Sequence, residues 1–123
     1  MKYSGIGTGN GVTADVVVLP MDRIRSVDLT TEYSGKILIC QGAPDREFIH
    51  KAIFLGIAGL VVPGLHYRDL KSVDPVELTI VMLGRFGNQQ FETRDWTQLS
   101  SLNGKKIGIS RLDDQHFDVS FNS

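Results

Sequence analysis

The stretch from Lys36 to Pro63 constrains the fold more than any other part of the chain, because it reads as one uninterrupted strand–helix–strand unit. Lys36-Ile37-Leu38-Ile39-Cys40 is a nearly continuous apolar run, the pattern of a strand covered on both faces. Gly42 and Pro44 break it, and Asp45 to Leu55 follows with apolar residues at helical spacing. Gly56 closes that helix, and Leu60-Val61-Val62 is a second apolar strand ended by Pro63-Gly64. Two strands joined in this way lie parallel, with a right-handed crossover.

The flanking segments extend the same pattern. Val16 to Leu19 is a β-branched run closed by Pro20, and Met21 to Thr31 reads as an edge-like strand or extended loop. After a polar connection with one helical turn at Tyr67 to Leu70, Asp74-Pro75 marks a stop. Leu78 to Leu83 is a third buried strand, closed by Gly84, and Gly87-Asn88 turns the chain. Thr93 is suited to cap a helix carrying Trp96, Leu99 and Leu102, which Asn103-Gly104 ends. Ile107 and Ile109 make a fourth strand, and Phe117, Val119 and Phe121 alternate as a last strand with one buried face. The expected fold class is α/β: a three-layer domain with a mostly parallel central sheet and additional strands at both ends. Residues 1–11 are expected as a flexible glycine-rich lead-in, and 12–123 as a single α/β domain, whole or part of a longer chain. Gly5 and Gly7 do not open a dinucleotide fingerprint, because its third glycine position is Asn10 and strand-like residues follow.

Composition removes several function classes. A net charge of -1 leaves no broad positive field for sequence-independent nucleic-acid binding. The longest uncharged run, Ala52 to Leu65, is too short to span a bilayer and carries glycines and a proline. The single cysteine cannot form an internal disulfide, which fits a reducing compartment, and a cytoplasmic location is expected. No residue pattern demands a cofactor.

In an open parallel sheet, ligands bind beyond the carboxyl ends of the strands. The ligand-binding candidates there are Gly42, Gly64, Arg68, Asp69, Gly84, Arg85, Gly87 and Asn88. Equally, those glycines need only turn the chain. His50 lies off the apolar stripe of its helix and is expected to face solvent, while Trp96 is expected in the core. His116 and Asp118 share a face of the last strand, with Asp113 and Asp114 nearby; a solvated outer face is expected there in place of a metal site.

Cys40-Gln41-Gly42-Ala43-Pro44-Asp45-Arg46 has the Cys-x5-Arg spacing between a strand and a helix, and resembles the phosphate loop of the low-molecular-weight tyrosine phosphatases. The resemblance implies Cys40 as nucleophile, Arg46 as phosphate ligand and Asp74 as general acid. Glu47 stands where that family has Ser or Thr, and Asp45 and Glu47 set two negative charges beside the place of a dianion. The preferred expectation is therefore an inert core thiol with no catalytic residue.

The longer stretch from Gly35 to Ser110 resembles a domain of uncharacterised prokaryotic proteins. The resemblance rests on Gly35 to Ile39, Lys51-Ala52, Gly56 to Val61, Arg68-Asp69-Leu70 and Gly84-Arg85-Phe86-Gly87. The rhythm of Lys51-Ala52 and the following glycines is also similar to swivelling and protease-associated domains. Both resemblances imply a non-catalytic interaction or accessory module. Its partner would be another protein or a neighbouring domain, with no nucleic acid or membrane.

Overall fold

The computed structural model describes residues 2–74, 77–84 and 90–121. Among these residues seven strands form one closed barrel: β1 (Lys2–Thr8), β2 (Val12–Leu19), β3 (Ile37–Cys40), β4 (Gly59–Val62), β5 (Thr79–Met82), β6 (Lys106–Arg111) and β7 (His116–Ser120). Their order around the wall is β1-β5-β4-β3-β2-β6-β7, and β7 closes onto β1. The pairs β2–β3, β3–β4 and β4–β5 are parallel, whereas β1–β5, β1–β7, β2–β6 and β6–β7 are antiparallel. Among the described residues three α-helices accompany them: α1 (Arg46–Leu55), α2 (Tyr67–Lys71) and α3 (Thr93–Ser100).

This corrects the expected three-layer α/β domain with a mostly parallel central sheet. The parallel run β2 to β5 exists, but its second face is not covered by a layer of helices. The alternation along the strands shows what covers it. Leu38, Cys40, Leu60, Val62, Ile80 and Met82 pack with Phe48, Ile49 and Ala52 of α1. Ile37, Ile39, Val61 and Val81 pack instead with Ile107, Ile109, Phe117 and Val119 from the antiparallel strands, and with Leu99 of α3. A strand buried on both faces reads the same whether its far side meets helices or the interior of its own barrel.

The glycine-rich opening segment, expected as a flexible lead-in, is strand β1 of the wall. Glycine is required there by contact. A Cβ on Gly7 would lie 1.9 Å from the carbonyl oxygen of Ile80, so β1 and β5 meet closer than any side chain allows. The Thr79 hydroxyl donates to the Asn10 carbonyl at 2.7 Å and accepts from the Asn10 N–H at 3.2 Å, tying the β1–β2 turn to β5. Met21 to Thr31, expected as an edge-like strand or extended loop, instead runs through short 3-10 turns at Met21–Arg23 and Ser26–Asp28 and into a third at Thr31–Tyr33. Helix α1 begins behind Asp45, whose carboxylate accepts from the Phe48 N–H at 2.8 Å, and ends at Gly56. Helix α3 starts at Thr93 with Glu92 in the cap position, one residue earlier than the expected cap.

Candidate functional site

The carboxyl ends of β3, β4 and β5 open on one end of the barrel, and several of the sequence candidates gather there. The chain leaving β5 returns across β3: the Phe91 N–H donates to the Gln41 carbonyl at 3.0 Å, and Gly42 forms an isolated antiparallel bridge with Gln90. Gly42 and Gly64 are both buried, and Gly84 is half-buried beside Leu83, whose N–H donates to the Val62 carbonyl. Arg85, Gly87 and Asn88 lie outside the described residues. Arg68 is exposed on α2, and Asp69 next to it takes the Arg46 guanidinium at 3.2 Å.

The Cys-x5-Arg loop is occupied by contacts within the protein. The Gln41 N–H donates to the Leu19 carbonyl at 2.9 Å, and its side-chain oxygen accepts from the Met21 N–H at 2.8 Å. Pro44 carries no N–H, and the Asp45 carboxylate holds the amide at the start of α1. Two residues are thereby withdrawn from a phosphate cradle, Gln41 by its bonded N–H and Pro44 by having none. Cys40 is fully enclosed, and burial pushes its thiol up to about 12 from an ordinary 9.0. Arg46, by contrast, keeps 57% of its side chain exposed and is paired with Asp69. Asp74 is exposed. Nucleophile and anion ligand therefore occupy different environments, one sealed in the core and the other tied to a carboxylate at the surface.

The last strands carry two carboxylate arrangements. Asp113 accepts from the backbone N–H groups of Gln115 and His116, each at 2.9 Å, and its oxygens lie 2.8 and 2.9 Å from the His116 Nδ1. The Gln115 N–H foremost, then the His116 ring and N–H, hold the Asp113 carboxyl down at about 2, despite its exposure. Asp118 does not join this pair. It accepts from the Ser4 hydroxyl at 2.8 Å, meets Lys2 at 3.3 Å, and is 8% exposed, where a solvated position was expected. No group of three metal-ligating side chains occurs among the described residues. His50 is exposed, and Trp96 is half-buried with its ring stacked on Phe91 at 6.4 Å.

The Asp113 geometry has a pH consequence. Its folded pKa is depressed, so the stability it confers is present above its ordinary 3.8 and is lost as pH falls through about 2. The protection of the Gln115 and His116 amides, relative to the exchange of an unstructured chain at the same pH, should fall across that window. In Asp113→Asn these amides should already be fast at neutral pH, because the uncharged amide oxygen accepts more weakly. Equal protection in the variant would show that the β6–β7 hairpin does not depend on this carboxylate.

A cleft of about 340 Å³ opens where β1 and β5 part. Their pairing runs from Thr8–Ile80 to Ile6–Met82 and stops, and Tyr3, Leu83 and Gly84 line the cleft beyond it. Pro63, Gln90, Phe91, Glu92 and Asp95 complete the lining. The Tyr3 hydroxyl donates to Gln98 Oε1 at 2.7 Å, and its pKa is raised by burial and then by Asp95, against a smaller opposing effect of Arg94. Of these residues only Gly84 was singled out from sequence. Tyr3 stood in an apparent lead-in, Phe91 and Glu92 were given no role, and Asp95 fell in the first turn of a helix expected to be capped by Thr93. The only sequence signal was the aromatic and acidic content of Phe91-Glu92 beside a strand end.

Compared with protein-family models, with curated proteins and with solved structures, the chain finds no match. No described helix is long and apolar enough to cross a membrane.

Proposed function

We propose that this protein is a non-catalytic interaction or accessory module that works through its surface on another protein or a neighbouring domain. One observation carries the reading: the Cys40 thiol is enclosed in the core while Arg46 is bound to Asp69 at the surface. A cysteine-dependent phosphatase needs a thiolate at neutral pH, and a thiol held near 12 supplies almost none. Surface composition agrees. Phe54 is 87% exposed on α1, and Val27, in the turn that packs on that helix, is 70% exposed. Large apolar side chains held in water on ordered elements suit contact with another macromolecule.

The test is turnover of a generic aryl phosphate by the wild type and by Cys40→Ser. No phosphate release above the uncatalysed rate is expected from either. Turnover of about 1 per second, within the usual enzymatic range, that disappears in the serine variant would establish the phosphatase and defeat the module.

A further inference from the structure

The cleft between β1, the end of β5 and α3 has a lining that selects for charge. Glu92 and Asp95 both border it, and among the described residues neither has an ion-pair partner. Its aromatic walls are braced. Tyr3 stacks on Phe121 at 6.0 Å, and the largely buried Phe91 stacks on Trp96 at 6.4 Å, so both lining rings are held in place. Gln90 adds an amide, while Pro63 and Leu83 supply apolar contact. The start of α3 contributes a partial positive charge of about half a unit, which the two full carboxylate charges outweigh. Arg94 acts against Asp95 at the Tyr3 hydroxyl, with the smaller effect of the two.

From this lining we infer that the cleft binds the guanidinium or ammonium end of a basic side chain presented by a partner protein. Carboxylates attract the charge, and ring faces attract it a second time through their quadrupoles. The apolar stem of an arginine or lysine matches Pro63, Leu83 and the rings, as such stems do when they lie along apolar surface. At about 340 Å³ the space is at the small end of ligand sites, suited to one side chain more than to a whole cofactor. A phosphate or carboxylate ligand is disfavoured by the same two acids. The inference rests on the interaction-module reading and adds to it the chemistry of what is bound.

Titration of the isotope-labelled protein with N-acetyl-arginine methylamide, followed by amide chemical shifts, tests the site. N-acetyl-citrulline methylamide, nearly the same shape without the charge, serves as the control. Saturable shifts are expected at Tyr3, Leu83, Gly84, Gln90 and Phe91 with the arginine probe only, and they should weaken as salt is added. In Glu92→Gln with Asp95→Asn, affinity should fall by about fivefold or more while the remaining spectrum stays native. Equal shifts from citrulline, shifts scattered over acidic residues elsewhere, or unchanged affinity in the variant would overturn the assignment. Failure here is distinguishable from failure of the module reading. Absence of cation shifts without aryl phosphate turnover removes the cleft ligand alone, whereas turnover dependent on Cys40 removes the module, whatever the cleft binds.

Discussion

Replacing Gly7 by alanine is expected to destabilise the fold by about 3 kcal/mol, near the upper end of what overpacking costs. The new methyl would stand 1.9 Å from the Ile80 carbonyl oxygen, 3.0 Å from its carbon and 3.1 Å from the Val81 Cα. All three atoms belong to the backbone of β5, so no side chain can swing aside to make room. The barrel must either push β1 away from β5, losing the register that pairs Gly7 with Val81, or break closure at that seam. Gly104→Ala is the matched control. Its Cβ meets nothing within 4 Å, but φ there is +81°, so alanine should cost only about 1 kcal/mol of left-handed strain. Urea unfolding of the two variants separates the effects. Equal losses would mean that β1 and β5 do not approach as described, and that the opening glycines serve chain flexibility alone.

The contrast between these glycines marks what the sequence could reveal. The β3–α1–β4 unit was legible almost to the residue, because each of its signals is local. An apolar run of strand length, an aspartate at the helix cap and a glycine at the helix end lie within one short stretch. The parallel pairing of Ile37 with Gly59 and of Leu38 with Leu60 follows from that grammar. Closure was not legible. Nothing within Ile37 to Cys40 states whether Ile37 and Ile39 will meet a helix or Ile109 and Val119. Strand β1 gave still less, since Gly5 and Gly7 carry no side chains to mark a buried face, and Tyr3 and Ile6 are its only large apolar residues.

The candidate site divides in the same way. Gly42, Gly64 and Gly84 were placed at strand ends because such ends are local signals, and of the three only Gly84 borders the cleft. Tyr3 was missed because it reaches β5 and α3 only through a wall that joins the first strand to the fifth. Phe91, Glu92 and Asp95 acquire their place when the Gln41–Phe91 hydrogen bond draws that segment across the barrel end. Arg46 and Asp69 appeared separately as candidates, and the fold pairs them, turning two expected ligand contacts into one surface ion pair. Such a pair is worth little in stability, typically under about 1 kcal/mol.

The alkaline limb of the stability curve should depend on Cys40 more than on any other change considered. Folding raises the thiol from 9.0 to about 12, so the unfolded chain releases its proton first as pH rises. The stability supplied by the neutral thiol is whole below pH 9 and drains away up to about 12. Over that window the loss is on the order of 4 kcal/mol, because each tenfold change in proton activity between the two values is worth roughly 1.4 kcal/mol. Cys40→Ala lacks this loss, but it removes a fully buried sulfur and should cost about 1 kcal/mol at neutral pH. The two stability curves should therefore cross at about pH 10, with the variant the more stable form beyond it. Tyrosine and lysine titration affects both proteins alike and cancels in the difference. Urea midpoints measured in parallel between pH 7 and 11 decide the matter. Curves that run parallel would show that Cys40 titrates alike folded and unfolded. The sealed position of the sulfur would then be wrong, and with it the argument that keeps this thiol from acting on phosphorus.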